Sequence, residues 1–243
     1  MPHFFVNSEC IENNLIVISD VENYRHIARA LRARCGEKLL LIDENQVQYE
    51  TVIKDITAKE IICMIQKSYK SKRDLEFDLF LAQSPLRSDA QLTIMEKATE
   101  LGVRGVYPIL TDNCALNKSV LEKKWEKWQK VMFEASKQCE RAKVPTCFEP
   151  TVLEKVLEIN FDKILVLAER STEISLKQYL TQKPINKGEK ILVVIGPEGG
   201  FSQKEFDYFR SKNLPLISLG DLILKAETAV IMTLGNVVYE YGE

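Results

Sequence analysis

The stretch Ile191-Leu192-Val193-Val194-Ile195-Gly196-Pro197-Glu198-Gly199-Gly200-Phe201-Ser202 decides how this chain is read. Its five apolar residues are short, β-branched and bounded by a turn signal, the pattern of a buried strand. A helix follows with a full start signal: Ser202 and Glu205 fit a capping box, and Phe201 and Phe206 fall at the staple positions. A buried strand ending in a Gly-rich loop that opens a helix is where open α/β proteins hold a small ligand. A second strand over 214–219 runs into Gly220, and a final apolar helix starts near Glu227. Two glycine-bearing strand ends so close in sequence predict one pocket built by two loops.

Working outward, 243 residues are comfortable for two domains. Hydrophobic content of 45% and charged content of 28% are those of a soluble globular protein. The net charge of −2 gives no global basic field, so any nucleic-acid contact must be local. None of the six cysteines forms a C-x-x-C pair and only two histidines exist, which argues against zinc. Reduced thiols, no basic-then-apolar leader pattern and no apolar run of spanning length predict a cytoplasmic protein without a membrane segment.

Residues 4–6, 15–18, 38–43, 49–53 and 60–65 read as short strands separated by turns such as Glu44-Asn45-Gln46. Five short strands with one inserted helix predict a small β-barrel. The helix is expected over 21–34, capped by Ser19 with Glu22 and closed by Gly36. Arg25, Arg29 and Arg32 share one face of it, with Ile27, Ala30 and Leu31 opposite, and Arg34 follows. Four Arg and His26 stand without an acid between Glu22 and Glu37. Arg forks suit phosphate, although a plain exposed basic face fits the pattern equally. The polar stretch 66–76 marks a boundary, giving domains 1–71 and 72–243.

In the middle, a strand over 77–82, a helix capped by Ser88 and Gln91, and a strand over 103–110 make a βαβ unit and hence a parallel sheet. A long helix from Ser119 carries Leu121, Trp125, Trp128, Met132, Ala135 and Cys139 at core spacing. Residues 118–143 hold eight Lys or Arg against four Glu, a second basic stretch. A short helix capped by Thr151 and Glu154, a strand over 163–168 and a loop and helix over 171–180 lead back to the strand at 191.

The central loop has no Lys for a P-loop, no G-x-G-x-x-G and no Ser elbow nearby. A pocket of backbone groups with one carboxylate, Glu198, suits an adenosine-type ligand bound without phosphate. Ile195-Gly196-Pro197-Glu198-Gly199-Gly200-Phe201-Ser202, then Ser218-Leu219-Gly220, then Ile223-Leu224-Lys225-Ala226-Glu227-Thr228-Ala229 resemble the motifs of the RsmE family, SPOUT-class methyltransferases acting on uridine N3 of 16S ribosomal RNA. Met1-Pro2-His3-Phe4-Phe5, His26-Ile27 with Ala30-Leu31-Arg32, the block from Glu96 to Val103 and the block from Glu134 to Pro145 agree, so the resemblance spans the chain in order. The sequence departs from the family at His3 (usually Arg), at Leu222 and Lys225 (usually two Arg) and at Glu140 (usually Gly).

The resemblance implies an N-terminal PUA-like β-barrel that grips RNA, followed by an α/β parallel-sheet domain with a trefoil knot. It also implies S-adenosyl-L-methionine as cofactor, a homodimer, and 16S rRNA in the small ribosomal subunit as partner. Cofactor binding then falls to Leu167, Ile195, Gly196, Pro197, Glu198, Gly199, Gly200, Leu219, Gly220, Ile223 and Leu224, and Gly199→Val should block the pocket. RNA binding falls to Arg25, His26, Arg29, Arg32 and Arg34. Arg141 and Lys225 are candidates for placing phosphate or base, and Glu227 for general base or helix cap. A ribose 2′-O-methyltransferase of the same class acting on tRNA or rRNA, or a non-catalytic RNA-binding assembly factor, are the alternatives.

Overall fold

The computed structural model describes residues 3–71, 74–87, 89–169 and 172–242. The chain forms two compact units, Met1–Asp74 with Lys137–Lys143, and Leu75–Ser136 with Val144–Glu243.

Among the described residues the first unit carries six strands: β1 (His3–Phe5), β2 (Ile11–Glu12), β3 (Leu15–Ile18), β4 (Lys38–Ile42), β5 (Val47–Ile56) and β6 (Ile61–Lys70). They form one mixed sheet in the order β1-β4-β5-β6-β3-β2, with β1 parallel to β4 and the other pairs antiparallel. Alternation drives it: Ile16 and Ile18, Leu39 and Leu41, and Ile61 and Cys63 turn inward with Phe4, Ile27 and Ile53. Bulges in the β5–β6 pair, at Glu50/Thr51 and Ile53/Asp55, bend the sheet around this core. The expected turn at 44–46 holds, because Asp43 accepts from the amides of Asn45 and Val47 and Gln46 adopts a left-handed φ of 64°. β6 runs to Lys70, beyond the expected 65, since its polar end pairs with 47–50 of β5 and the ladder is satisfied without apolar side chains.

The helix differs from expectation at both ends. Asp20, not Ser19, is its cap: one carboxylate oxygen accepts from the Asn23 amide at 2.8 Å, and the other from Asn23 Nδ2 at 3.0 Å. Helix α1 (Val21–Tyr24) widens into a π-helical turn over Arg25–Ala30, and Leu31 N–H reaches His26 O at 2.9 Å. The chain leaves it at Arg32, whose φ is 51°, and Gly36 belongs to the next turn. One extra residue per turn shifts the faces: Asn23 and Ile27 are buried, whereas Ala30 and Leu31 are exposed with Arg25, Arg29, Arg32 and Arg34.

The second unit is an α/β layer structure. Its strands are β7 (Asp78–Gln83), β8 (Gly105–Leu110), β9 (Thr146–Cys147), β10 (Thr151–Val152), β11 (Lys163–Leu167), β12 (Ile174–Ser175), β13 (Lys190–Ile195) and β14 (Leu216–Ser218). All pair in parallel, in the order β10-β8-β7-β13-β11-β14-β12, with β9 beside β8. The helices are α2 (Ala90–Glu100), α3 (Lys118–Gln138), α4 (Leu153–Leu157), α5 (Leu176–Gln182), α6 (Gln203–Ser211) and α7 (Ala226–Tyr241). β13 is buried on both faces: Ile191, Val193 and Ile195 pack with α2, α3, α5 and α7, and Leu192 and Val194 with α4 and α6. Each such side chain contributes roughly 1.5–3 kcal/mol by leaving water, which is why the run is continuously apolar.

Trp128 and Met132 of α3 are buried in this core, and the Trp125 indole donates to Cys147 O at 3.0 Å, so the aromatic stripe is packing. The expected cap Ser88 and the start of the 171–180 segment lie outside the described residues. Gln91 does not cap: its side-chain oxygen accepts from the Leu86 amide at 2.9 Å. Helix α4 follows Val152 with no side-chain cap, since Thr151 belongs to β10.

Candidate active site

The strand order makes the site. The chain lays β8 on one side of β7, crosses to β11, then returns to place β13 between β7 and β11. Where strand order reverses, the helices diverge and a crevice opens at the carboxyl ends of the strands. The Gly196–Gly200 loop leaves β13 at that crevice. Gly200 N–H closes the turn on Pro197 O at 2.9 Å, and Gly200 holds φ at 68°. A Cβ there would be strained and would lie 2.9 Å from Glu169 Oε1. Gly199 differs: its Cβ would meet Asn113 Cβ at 3.3 Å, so Gly199→Val presses first on Asn113 and not into open pocket.

Behind the loop, Ser202 and Glu205 form the expected capping box of α6, and the Phe201 and Phe206 rings meet edge to face, 6.1 Å apart. The second loop follows β14. Ser218 Oγ accepts from Gly220 N–H at 3.0 Å and donates to Gly220 O at 3.1 Å, fixing a turn with Gly220 at φ 124°. Helix α7 then starts at an N-cap formed by Lys225 in extended conformation. Glu227 therefore sits in the first turn, where the helix dipole favours a carboxylate.

These pieces enclose a cavity of about 840 Å³. Leu167, Ile195, Gly196, Pro197, Glu198, Gly199, Gly200, Leu219, Gly220, Ile223 and Leu224 all line it, together with Lys225 and Glu227. Leu86, Ala168, Glu169, Phe201, Phe206, Leu222, Ala226 and Ala229 complete the wall, and none of them is among the cofactor-binding residues expected from the sequence. Glu169 is two residues past the end of β11, which pairs in parallel with β13. Among the described residues, the charged side chains that line the cavity are Glu169, Glu198, Glu227 and Lys225, an excess of carboxylate that favours a cationic ligand. No group of His, Cys, Asp and Glu among the described residues is arranged to hold a metal.

Arg141 is not among the residues that line this cavity. It is buried in the first unit, with Nη2 3.1 Å from Asp74 Oδ1. Arg25, His26, Arg29, Arg32 and Arg34 also lie in the first unit, the four arginines exposed and His26 half-buried against the Phe4 ring. Glu140 adopts φ 56°, the left-handed conformation for which the family's usual Gly is suited.

The profile of the RNA methyltransferase domain matches residues 73–238, about two thirds of the chain. The chain belongs to this RNA methyltransferase family. The profile of the RNA methyltransferase PUA domain matches residues 18–66. The methyltransferase is similar to Ribosomal RNA small subunit methyltransferase E of Aquifex aeolicus, 29% identical over 94% of this chain and 96% of that protein. It is also similar to the protein of the same name from Bacillus subtilis, 26% identical over 90% and 88%. Among solved structures, a Legionella pneumophila methyltransferase in complex with S-adenosylmethionine superposes with a TM-score of 0.84, 25% identity and 98% and 97% coverage. A Neisseria gonorrhoeae Ribosomal RNA small subunit methyltransferase E shares the fold at TM-score 0.84, 20% identity and 100% and 98% coverage. The RsmE resemblance read from the motifs therefore holds, and the fold is a SPOUT-type α/β unit preceded by a PUA-like unit.

Proposed function

We propose that this methyltransferase uses S-adenosylmethionine to methylate uridine N3 in 16S rRNA of the small ribosomal subunit. The observation that carries the reading is one cavity at the strand-order reversal, built by both glycine loops and lined, among the described residues, by three carboxylates and one ammonium. When bound, the donor supplies an electrophilic methyl group on a cationic sulfur. The residues fit such a ligand: apolar walls at Leu167, Ile195, Leu219, Ile223 and Leu224 suit an adenosyl group, no Lys stands in the Gly196–Gly200 loop to meet phosphates, and the excess of carboxylates suits positive charge.

In this reading the two loops hold the adenosyl part through backbone groups, and Glu169, Glu198 and Glu227 set the field around it. Lys225 offers an ammonium to RNA, and Glu227 is the candidate acceptor for the proton that N3 loses. Positioning and electrostatics supply most of the rate. Residues 1–71 hold RNA through Arg25, Arg29, Arg32 and Arg34, with residues 72–243 as the methyltransferase domain. Arg141 acts as a structural partner of Asp74. We further read the protein as a cytoplasmic homodimer. Ile231, Met232 and Tyr239 leave an apolar face of α7 exposed, and Leu222 and Ile223 do so beside the cavity.

Calorimetry with S-adenosylmethionine, together with nucleoside mass spectrometry of small-subunit RNA from a deletion strain, tests the function. Donor binding and loss of 3-methyluridine are expected. Loss of a 2′-O-methyl nucleoside, or absence of donor binding with no change in modification, would refute it in favour of the ribose enzyme or the assembly factor.

A further inference from the structure

One loop with no role so far is clasped to the glycine loop from outside the cavity. It follows β8, over residues 111–117, and leads into α3. Asn113 Nδ2 donates to Gly200 O at 3.1 Å and to Gly199 O at 3.3 Å. Beside it, Asp112 and Glu205 close a ring with Ser202. Ser202 Oγ donates to Asp112 Oδ2 at 2.6 Å, Asp112 N–H donates to Glu205 Oε1 at 3.0 Å, and Ser202 N–H donates to Glu205 Oε2 at 2.7 Å. The loop is itself anchored, since Thr111 Oγ1 and Ser84 Oγ lie 2.7 Å apart and Ser84 N–H donates to Ile195 O at 3.1 Å. Glu205 thus does more than cap α6: its second oxygen carries the β8 loop.

We propose that Asn113 is the positioning residue of the donor loop, with Asp112 holding it in place; this rests on the donor reading of the cavity. A Gly-Gly pair has the widest backbone freedom in the chain, so by itself it would spread over many conformations. One amide that donates to both glycine carbonyls turns both planes outward, toward Asn113. Gly199 and Gly200, which line the cavity, are then held in place before any ligand arrives, and preorganisation of this kind raises affinity by removing an ordering cost. The missing Cβ of Gly199 belongs to the same fit, because Asn113 Cβ lies 3.3 Å from where it would stand. Asn113 touches neither donor nor RNA in this scheme; it acts through Gly199 and Gly200.

Asn113→Asp is the sharpest perturbation. It keeps the shape and replaces a donor by a carboxylate aimed at two carbonyl oxygens. Hydrogen–deuterium exchange of the ligand-free protein should show amides in 199–201 exchanging about tenfold faster, the scale of losing one or two hydrogen bonds. S-adenosylmethionine affinity by calorimetry at pH 8 should fall by a similar factor, and the KM for the donor should rise with kcat nearly unchanged at saturation. Asn113→Gln, which keeps the amide, should recover part of both. Unchanged exchange and affinity in Asn113→Asp would overturn the proposal, as would faster exchange with wild-type affinity. If Asn113→Asp is poorly folded, Asn113→Ala carries the same two readouts with the same criteria. If the unmodified protein does not bind the donor, the functional reading fails, while the exchange arm still reports on the clasp.

Discussion

Gly200→Ala separates backbone strain from ligand contact. Gly200 holds φ at 68°, and an L-residue in that region costs about 1–2 kcal/mol. The added Cβ also meets Glu169 Oε1 at 2.9 Å, but that atom ends a flexible, exposed side chain and can move. The strain is therefore the main term, and it has two outlets. If alanine stays in place, the whole cost appears as lost stability and the donor still finds its loop. If the loop relaxes in the free protein, stability is spared, and the donor must restore the strained form on binding. Relaxation of the full amount weakens affinity by about 5- to 30-fold, given about 1.4 kcal/mol per factor of ten. The two losses should sum to roughly 1–2 kcal/mol. Gly188→Ala is the control: Gly188 holds φ at 81° with no atom near its missing Cβ, and it precedes β13 at the end away from the cavity. It should cost about 1 kcal/mol of stability from the same left-handed strain and nothing in donor affinity. Urea unfolding and calorimetry on both variants measure the terms. A Gly200→Ala protein with wild-type stability and wild-type affinity would refute the reasoning.

Glu189 lies at that same far end, where the Lys163 ammonium donates to it and the Asn186 amide adds a second bond at 2.9 Å. These hold its carboxyl at about 2, below the ordinary 4.5. Its stabilisation is thus complete above about pH 4.5 and is lost as pH falls toward about 2. Glu189→Gln should flatten the pH dependence of the urea midpoint across that window without altering donor affinity; an unchanged profile would contradict the assignment. Glu140→Gly should raise thermal stability by about 0.5–1 kcal/mol through relief of its left-handed backbone, checked by thermal unfolding, and a fall in stability would mean its side chain contributes more than the strain costs. Arg29→Ala should lower the log–log salt slope of RNA affinity by roughly 0.7–0.9 if the side chain neutralises one phosphate; an unchanged slope would leave it a solvated surface residue.

The core strands, the capping box at Ser202 and Glu205 and the wall-forming loops were legible because each rests on local pattern. Alternation, β-branching and a glycine that must take positive φ are properties of a few consecutive residues. Helix α1 differs from the local pattern at both ends for a related reason. Ser19 and Asp20 are both competent caps, and only the reach of Asn23 to Phe5 O and Asp20 selects between them. The π-turn that exposes Ala30 and Leu31 has no marker in the sequence either, since it lets Ile27 reach the core of the first unit.

By itself the sequence determined the α/β class of the second unit and the two glycine loops. Those follow from periodicity and backbone sterics acting over short range. Tertiary structure alone decided that β13 lies between β7 and β11, that Glu169 joins the cavity, and that Asn113, 86 positions before Gly199, clasps the loop. These depend on which distant segments pair and what their side chains find there, a choice made by the energy of the whole sheet and by no window of residues within it.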